Sequence, residues 1–590
     1  MDDELWRRTA GALLAKAIAE FSYEELLRPE PEQDGVYKLT VFPRGARPGG
    51  GEGVEYRFRA DRGDYDSWFV DPASITRGGV TAADPLGFIA DAAGTLELAG
   101  DTAAHLVREL AATLAADLRI AAAPLDAAQL ADLGYAELEG HQTGHPWIVF
   151  NKGRLGFSAA DAHLYAPEAR RPMHLRWIAV RDDLAEYRAV PGLGAERLLS
   201  EELTAATRLR FQRTLADAGR DPRRYHWLPV HPWQWDETLQ SLYVADIALG
   251  RIVDLGESED EYLPQQSIRT LSNVSAARRR HVKLPLSVLN TMVWRGLPTE
   301  RTLAAPAVTA WLTAIAEADP FLTDECGVIL LGEVASVTAG HRVLDRIDSA
   351  PYQYRELLGA IWREPLPAAL RPGERARTLA ALLSFGADGR PLAAELIARS
   401  GLTPAEWLER LFGALLPPLL HFLYTYGTVF SPHGENAIVV YDEQDVPARL
   451  AVKDFVDDVN ISDAPLPQLA DLPDDVAAVL LREESGYLCQ FLHAGLFIGH
   501  FRYLARIFEQ HLGVTRGAFW ALVRAQIGAY QQRFPAAADR YALFDLAVPR
   551  IDRLCLNRNR LHLNGYHDLP ARPHVEPFGT VPNPLSPPGD

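Results

Sequence analysis

Residues 433–455 have the sequence HGENAIVVYDEQDVPARLAVKDF. Two runs of mainly apolar residues, 437–441 and 448–455, flank a polar turn, and this pattern predicts a β-hairpin. The tetrapeptide His-Gly-Glu-Asn comes directly before the first strand, and Lys-Asp-Phe closes the second. Because the two ends of a hairpin meet in space, we expect Asn436 and Asp454 to lie near each other.

The polar groups at the ends of this hairpin suit a site for a metal and a nucleotide. A carbonyl oxygen of Asn436 and a carboxylate of Asp454 are ligands that Mg²⁺ accepts together with phosphate oxygens and water. The order Asn, hairpin, Asp-Phe resembles the catalytic-loop Asn and the Asp-Phe-Gly of kinase-like folds. Val456 replaces the Gly of those folds, Gly434 lies two residues before Asn436, and the loop has no Asp base. The alternative is a plain helix-to-strand turn.

A basic segment lies upstream of the hairpin, at 267–295. It has no Asp or Glu in 29 residues, although 78 acids in 590 residues would place about four there. The acids cluster just before it, at Glu257, Glu259, Asp260 and Glu261. Hydroxyl, guanidinium and ammonium groups hold polyphosphates and carboxylates, so we predict a site for a small anion. The residues concerned are Ser267, Arg269, Thr270, Arg278, Arg279, Arg280, Lys283 and Arg295.

The spacing of two of these cations indicates separate roles. Lys283 and Arg295 lie twelve residues apart, on either side of the apolar run 284–294, which we interpret as a helix. About three helical turns would place the two cations at opposite ends and let them reach different parts of one cleft. The alternative for the whole segment is a solvated basic helix face, which is the usual structure of a charge run.

The composition of the chain argues against several classes of partner. A net charge of -19 and a pI near 5.4 predict no affinity for nucleic acid or for an anionic membrane surface. The apolar run 411–430 is interrupted by Pro417, Pro418 and His421, which favours a buried helix over a membrane span. Three distant cysteines, and an N-terminus without a basic or an apolar signal region, predict a cytoplasmic protein.

Three regions are predicted along the chain, at 1–140, 141–365 and 366–590. The first two mix helices and strands, and the last is mostly helical apart from the hairpin, so the predicted fold class is α+β. The other predicted elements are an amphipathic N-terminal helix, a hairpin with strands at 36–42 and 54–60 around a Gly-rich loop at 45–53, an Ala/Leu-rich helix at 102–123, and strands at 147–150 and 177–180.

Further short stretches follow one another in a fixed order. Each is weak alone, since a His among aromatic residues is commonly a satisfied core residue. They are Gly-His-Pro at 144–146, Lys-Gly-Arg-Leu-Gly-Phe at 152–157, Pro-Val-His-Pro-Trp-Gln at 229–234, Gln-Ser-Ile-Arg-Thr at 266–270 and Leu-Cys-Leu-Asn-Arg at 554–558. Together with Lys283, Arg295 and the hairpin, they resemble the IucA/IucC family, the NRPS-independent siderophore synthetases, from about residue 140 to the C-terminus.

This resemblance implies a fold of thumb, fingers and palm, with a distantly kinase-like palm, onto which the three regions map. It implies that ATP and Mg²⁺ are bound, although the sequence has no P-loop pattern. Family members are commonly dimers, so a homodimer is one expected arrangement. The implied residues are Ser267, Arg269, Thr270 and Lys283 for the ATP phosphates, Arg295 where phosphate and carboxylate meet, His433, Asn436 and Asp454 for the nucleotide and Mg²⁺, and His145, Lys152, Arg154, Tyr503 and Arg558 for the carboxylate pocket.

The implied reaction joins a carboxylate to an amine or a hydroxylamine through an acyl adenylate, with release of AMP and pyrophosphate. It needs no protein nucleophile and no base for the carboxylate, which agrees with the missing Asp. The predicted catalytic residues are Arg269, Lys283 and Arg295. Family members use citrate, a citryl monoamide, 2-oxoglutarate or an N-hydroxy-N-succinyl diamine, and 266–270 and 554–558 are most similar to synthetases of already derivatised acyl groups, including the desferrioxamine type. Two alternatives remain, a kinase-like phosphotransferase that releases ADP and a non-catalytic carboxylate-binding protein.

Overall fold

The computed structural model describes residues 3–45, 53–564, 566–573 and 575–587. Helices and mainly antiparallel sheets alternate along the chain, which confirms the predicted mixture of α and β structure. Most of the predicted Gly-rich loop at 45–53 lies outside the described residues, but its flanking hairpin is confirmed, with strands Val36–Val41 and Val54–Arg62.

An eight-stranded antiparallel sheet forms the middle of the chain and includes the predicted strand at 177–180. Its core is formed by large side chains such as Trp177, Phe211 and Trp362. The register pairs Thr270 with Lys283, and Glu333 with Arg363, so polar groups of separate strands share one face. In spatial order the strands are Ala185–Ala189, Glu333–Ala339, Gly359–Arg363, His281–Lys283, Thr270–Asn273, Ile252–Pro264, Met173–Arg181 and Tyr225–Val230.

The predicted helix over 284–294 is wrong. The run instead forms a hairpin of Leu286–Asn290 and Val293–Arg295, joined at Thr291, whose φ is 56°. Pro285 and the β-branched valines of this run favour extended backbone over a helix. The hairpin pairs Arg295 with Leu286, so Arg295 returns close to Lys283 in the chain path instead of lying three helical turns away.

The predicted strand at 147–150 is also wrong. The backbone N–H groups of Trp147 and Ile148 both donate to Nδ1 of His145, at 3.2 Å each. The N–H of Val149 donates to Oδ1 of Asn557 at 3.0 Å. Because side chains take up these N–H groups, no neighbouring strand is needed to satisfy them. The apolar run is buried in a turn and is not part of a sheet.

The hairpin at 433–455 is confirmed, with strands Ala437–Tyr441 and Pro447–Val452. It belongs to a four-stranded sheet with Arg375–Thr378 and Ile329–Leu330. The rest of 366–590 is mostly helical, as predicted, but it also contains short paired strands that the sequence analysis does not predict. These additional strands are Thr428–Val429, Asn460–Ser462, Leu481–Glu483, Arg550–Leu554 and Pro577–Pro582.

Long helices cover the remaining core. The predicted buried helix at 411–430 is confirmed as Pro404–Tyr426, which begins at a Thr403 capping box and ends at Gly427, where φ is 59°. Among the described residues, no helix has the length and apolar character that a membrane crossing requires. The other long helices are Asp3–Tyr23, Pro85–Ala92, Gly100–Ala121, Ala205–Asp217, Thr299–Glu317, Leu392–Ser400, Ser485–Phe491, Leu492–Phe501, Arg502–His511 and Arg516–Arg533, of which Leu492–Phe501 is a π-helix.

A buried carboxylate ties the N-terminal helix Asp3–Tyr23 to the C-terminal part of the chain. Glu24 accepts hydrogen bonds from the indole of Trp147 at 2.8 Å, from the side-chain amide of Asn557 at 2.8 Å and from the backbone N–H of Arg558 at 2.6 Å. The same hydrophobic core contains residues from both ends of the chain. The N-terminal helix therefore shares a hydrophobic core with the 433–455 hairpin.

A second buried ion pair fixes the 152–168 segment. Arg154 donates two parallel hydrogen bonds to Glu168, at 2.7 and 2.8 Å, and Lys152 donates to Asp117 of the helix Gly100–Ala121 at 2.8 Å. Burial alone would raise the pKa of the Glu168 carboxyl, but the Arg154 guanidinium and the Lys152 ammonium hold it at about 2. Arg154 and Lys152 thus already have counterions within the fold.

We predict that Arg154→Met lowers the midpoint of thermal unfolding, because breaking a buried ion pair leaves Glu168 uncompensated at a cost of about 3–5 kcal/mol. The contribution is complete above pH 4.5, the ordinary pKa of Glu, and is lost as the pH falls towards the folded value near 2. The matched control is Arg223→Met, which breaks an exposed pair with Asp221 and should leave the midpoint unchanged. Equal midpoints for both variants would contradict a structural role of Arg154.

Candidate functional site

The candidate site is built around the buried ammonium of Lys283. Its Nζ contacts Oδ1 of Asp454 and lies 2.8 Å from Oδ2 of Asp457 and 3.4 Å from Oε1 of Glu333. Lys283 ends a strand of the eight-stranded sheet, Glu333 begins another, and the two aspartates follow the 433–455 hairpin. The site therefore lies where the large sheet meets that hairpin.

Two arginines extend this ion network. Nη2 of Arg363 lies 2.6 Å from Asp454 and 3.4 Å from Glu333. Nη2 of Arg269 donates to Asp457 at 3.2 Å, and its Nη1 donates to the carbonyl oxygen of Gly296. Cations from three separate strands or loops thus converge on the acids that follow the hairpin.

The backbone around Asp454 is held in an uncommon conformation. Asp454 has a φ of 71°, in the left-handed region that non-glycine residues rarely adopt. The N–H of Val456 donates to Glu333 at 3.2 Å, and Arg301 donates to the carbonyl oxygens of Val456 and Asp457 at 3.1 and 3.3 Å. These contacts hold the turn so that Asp454 and Asp457 both face Lys283.

The pKa values follow from burial and these charges. Burial alone would raise the pKa of Asp454 and of Asp457, but Lys283 and its neighbouring arginines hold both well below their usual range. Burial alone would lower the pKa of Lys283, but Asp454, Asp457 and Glu333 raise it. All three groups are therefore charged at neutral pH. Burial, with Asp454 and Asp457 nearby, raises the pKa of Asp458 to about 8.

The hairpin pattern predicts that Asn436 and Asp454 lie near each other, and the register agrees, since the N–H of Lys453 donates to the carbonyl oxygen of Asn436 at 3.3 Å. The side-chain amide of Asn436 donates to Asp458, because the short helix Phe455–Asp458 brings Asp458 back to the hairpin end. Oδ1 of Asn436 is buried and accepts no hydrogen bond from the described residues. Among those residues no group of three or more His, Cys, Asp and Glu side chains forms a cluster for a metal ion.

Ser267 and Thr270 lie in the turn that leads to the strand Thr270–Asn273. The hydroxyl of Ser267 accepts the N–H of Thr270 at 3.3 Å, and both side chains are buried. Lys453 links this turn to the hairpin, since it donates to Gln265 at 3.0 Å and lies 3.6 Å from Glu435. The structure therefore brings Ser267 and Thr270 to the same junction as Lys283.

His433, His145 and Arg295 form the adjoining part of the site. Nδ1 of His433 accepts the N–H of Glu435 at 3.2 Å, and Nδ1 of His145 accepts two N–H groups, so both neutral rings carry their proton on Nε2. Burial lowers the pKa of both rings, with a further contribution at His145 from His433. Burial, with Arg269 nearby, lowers the pKa of Arg295 to about 10.

Arg295 differs from the other cations of the site. Its Nη2 donates to Thr291 at 2.7 Å, its Nε is buried without a hydrogen-bond partner, and no carboxylate of the described residues lies within 4.0 Å. The side chain of Arg295 is half-buried, and a half-buried guanidinium without a counterion is stabilised when a ligand supplies the opposite charge. Arg295 is thus available to bind an anion.

The six cations of the 267–295 segment do not act as one group. Arg279 pairs with Asp260, and Arg280 pairs with Glu201 and Glu202 at 2.7 Å each. Arg278 is exposed. Other parts of the chain supply carboxylates to Arg279 and Arg280. The predicted basic segment is therefore corrected to three cations near the hairpin, the buried Arg269 and Lys283 and the half-buried Arg295.

The remaining predicted pocket residues are more dispersed. Lys152 and Arg154 are paired with Asp117 and Glu168, as described above. The hydroxyl of Tyr503 donates to Glu20 at 2.8 Å, and the Arg558 guanidinium packs 3.8 Å above the ring of Phe578. Burial lowers the pKa of His145, and the charges of His433 and Arg295 lower it further, so this predicted pocket residue lies within electrostatic range of both.

Sequence reasoning misses several residues of the network. Asp457 and Asp458 lie within four residues of Asp454, and this acidic pair at the end of a predicted strand is the signal that could have identified them. Glu333 and Arg363 lie in a different part of the chain, and only the pairing of their strands in the large sheet brings them to Lys283. Arg301 and Arg572, which donates to Glu356, likewise give no signal of their own.

Comparisons with known proteins agree with this architecture. A profile described as the IucA / IucC family matches residues 134–384, and one described as a ferric iron reductase FhuF-like transporter matches residues 405–569. The rhizobactin siderophore biosynthesis protein RhbF of Rhizobium meliloti is 42% identical over 99% of this chain and 96% of its own. The aerobactin synthase of Escherichia coli is 33% identical over 95% and 94%.

A solved structure extends the similarity to the whole fold. The aerobactin synthetase IucC from a hypervirulent pathotype of Klebsiella pneumoniae superposes with a TM-score of 0.87 at 31% identity, over 99% of both chains. Such similarity over the full length, together with the ordered motifs and the ion network at the hairpin, leaves one assignment. The chain belongs to the IucA/IucC family of siderophore synthetases.

Proposed function

We propose that this protein is an ATP-dependent ligase that adenylates a carboxylate and then condenses it with an amine or a hydroxylamine, releasing AMP and pyrophosphate. The carboxylate is citrate or a citryl or succinyl derivative. The observation that carries the proposal is the junction of Lys283, Arg269 and Arg363 with Asp454 and Asp457, next to Arg295, which has no carboxylate partner among the described residues.

The chemistry explains why such a junction is useful. A carboxylate oxygen of the acid attacks the α-phosphorus of ATP, the bond to the β-phosphate oxygen breaks, and pyrophosphate leaves. Both reactants are anions, so neutralising their charge in a partly desolvated site stabilises the transition state. We assign Lys283 and Arg269 to the phosphates, and Arg295 to the attacking carboxylate beside them.

The residues present also fit a magnesium ion. The buried Oδ1 of Asn436 lacks a donor among the described residues, and the carboxylate of Asp454 is adjacent through the hairpin end. Oxygen ligands of this kind, completed by phosphate oxygens and water, are what Mg²⁺ prefers. Bound there, the ion would supply charge neutralisation for the phosphates.

The two histidines are suited to donate hydrogen bonds and not to accept protons. Their Nδ1 atoms are occupied by backbone N–H groups, so Nε2–H is the group that each ring can offer. We assign His145 to the carboxylate pocket and His433 to the edge of the nucleotide site. The paired states of Lys152, Arg154 and Tyr503 give these residues a supporting role around the pocket.

The proposal also includes the domain arrangement, the cellular location and the oligomeric state. We propose that the three regions correspond to thumb, fingers and a kinase-like palm, that the protein works in the cytoplasm, and that it is a homodimer. A size measurement by light scattering tests the oligomeric state directly.

The test of the function is product analysis. Purified protein with MgATP, an amine acceptor and each candidate acid should release AMP and pyrophosphate in equal amounts with at least one acid. Release of ADP and phosphate would instead support the phosphotransferase alternative. Acid binding without any nucleotide turnover would support the non-catalytic alternative.

We predict that Arg269→Ala lowers kcat/KM for pyrophosphate release by roughly a hundredfold or more, as the loss of a preorganised donor to a transition-state charge does. The matched control is Arg279→Ala, which removes an arginine of the same segment that also binds one aspartate but lies outside the site. The control should retain nearly normal turnover. Similar rates for both variants would remove Arg269 from the phosphate site.

We predict that Arg295→Lys raises the KM for the acid far more than the KM for ATP, because an ammonium cannot reproduce the two-pronged hydrogen bonding of a guanidinium. Lys283→Ala should show the opposite bias, since Lys283 faces Asp454 and Asp457. Both KM values are measured through pyrophosphate release. Equal effects on the two substrates in Arg295→Lys would show that this residue only screens charge.

A further inference from the structure

One face of the N-terminal helix Asp3–Tyr23 contacts the loop 144–152, which contains His145 and is called the His145 loop below. Lys16 and Glu20 lie one turn apart on this helix and therefore on the same side. Nζ of Lys16 donates to the backbone carbonyl of His145 at 2.7 Å, and Glu20 accepts hydrogen bonds from Arg502 and Tyr503 at 2.8 Å each. This face of the helix thus forms part of the wall around His145.

Within the part of the chain that the structure describes, Lys16 has no counterion. Its neighbours of opposite charge, Asp117 and Glu20, act on it from beyond ion-pair distance, and among the described residues no carboxylate oxygen lies within 4.0 Å of its ammonium. Asp117 is already bound by Lys152 and Glu20 by Arg502, at 2.8 Å in both cases. An ammonium has three donors, and the His145 carbonyl uses one of them.

The electrostatic consequence is visible at Lys16 itself. Burial lowers the pKa of its ammonium to about 8, Asp117 and Glu20 oppose this change, and Lys152 adds to it. Lys16 is partly buried, and a charged group that the fold partly buries without pairing costs free energy; such groups concentrate at functional sites. If Lys16 only supported the His145 loop, a neutral hydrogen-bond donor in place of its ammonium would be sufficient.

Arg295 is the second cation near His145 without a carboxylate partner among the described residues. Both Arg295 and Lys16 contribute to the lowered pKa of His145, so both lie within electrostatic range of that ring. A ligand with one anionic group would neutralise one of these cations. A ligand with two anionic groups would neutralise both.

We propose that Lys16 binds a second anionic group of the acyl substrate, remote from the carboxylate that Arg295 holds for adenylation. This inference rests on the proposed function and narrows its substrate class to di- and tricarboxylates, such as citrate or a citryl derivative that keeps a free carboxylate. Lys16 is then a specificity-determining residue contributed by the N-terminal helix.

The test compares acids with different numbers of carboxylates in the ATP–pyrophosphate exchange reaction, without an amine. Citrate has three carboxylates, and an N-hydroxy-N-succinyl diamine has one. In Lys16→Met the KM for citrate should rise at least roughly tenfold, as loss of a partly buried charge contact predicts, while the KM for ATP stays within about twofold. Lys16→Arg should retain most of the affinity for citrate.

Matched controls separate this role from a structural one. Lys38→Met removes a surface lysine that pairs with Glu55 and should change neither KM. Thermal unfolding of Lys16→Met shows whether the helix remains in place. An unchanged KM for citrate, equal increases for citrate and ATP, or a wild-type protein that accepts only the monocarboxylate would overturn the proposal.

The pH profile gives an independent measurement. Lys16 is faced by Glu20 from its own helix, by Asp117 from the helix Gly100–Ala121, and by Lys152 and His145 from the 144–152 loop. As the pH rises through about 8, Lys16 loses its proton and the KM for citrate should increase in the wild type. Lys16→Arg should show a flat profile over the same range, and a persistent rise in that variant would contradict the proposal.

Calorimetry of citrate binding without ATP keeps the two proposals distinguishable. If no acid supports exchange but citrate binds to the wild type and not to Lys16→Met, the binding site stands and the adenylation proposal fails. If citrate binds equally to both proteins, the assignment of Lys16 fails whatever the exchange reaction shows.

Discussion

The contact between the Lys283 ammonium and the carboxylates of Asp454 and Asp457 is the interaction on which the rest of the site depends. It joins the eight-stranded sheet to the end of the 433–455 hairpin, across 171 and 174 residues of sequence. The sheet adds Glu333 and Arg363, and the hairpin adds Asn436. A site assembled from distant strands in this way needs the complete fold. The large sheet has its own hydrophobic core, and a second core extends from the N-terminal helix to the C-terminal strands.

The charges of the site fall into two kinds. Lys283, Arg269 and Arg363 have carboxylate partners, so their positions are fixed before any substrate arrives. Arg295 and Lys16 have none among the described residues. Preorganised charges of the first kind lower the reorganisation needed during phosphate chemistry, whereas unpaired cations of the second kind favour the entry of an anion. This division supports one site with two sides. Lys283, Arg269 and Arg363 form the side for the nucleotide, and Arg295 and Lys16 form the side for the acid.

The sequence is informative where a motif and its backbone lie close together. The hairpin, its His433 and Asn436, and the buried helix Pro404–Tyr426 follow from local patterns of apolar residues, caps and turns. The sequence is less informative where the secondary structure of a segment depends on its contacts with other segments. The run 284–294 forms strands because Leu289 pairs with Leu155 and Trp294, and the 147–149 turn has its N–H groups bound by His145 and Asn557.

The charged residues show the same limit. The absence of acids from 267–295 draws attention to Arg269, Lys283 and Arg295, but it cannot show that Asp260 and Glu202 pair with their neighbours. Nor can it show that Glu333 and Arg363 lie beside Lys283, since strand order in a sheet is set by the whole fold. Lys16 carries no signal in the sequence, because its position depends on where the N-terminal helix packs.

Transfer of a labelled oxygen tests the central claim most directly. The acid is prepared with ¹⁸O in its reacting carboxylate and incubated with MgATP, the amine acceptor and the protein. If the carboxylate attacks the α-phosphorus, one labelled oxygen remains on phosphorus when the amine displaces the adenylate, and mass spectrometry finds it in AMP. Label found in inorganic phosphate, together with ADP, would show attack at the γ-phosphorus and would contradict the assignment of this site to adenylation.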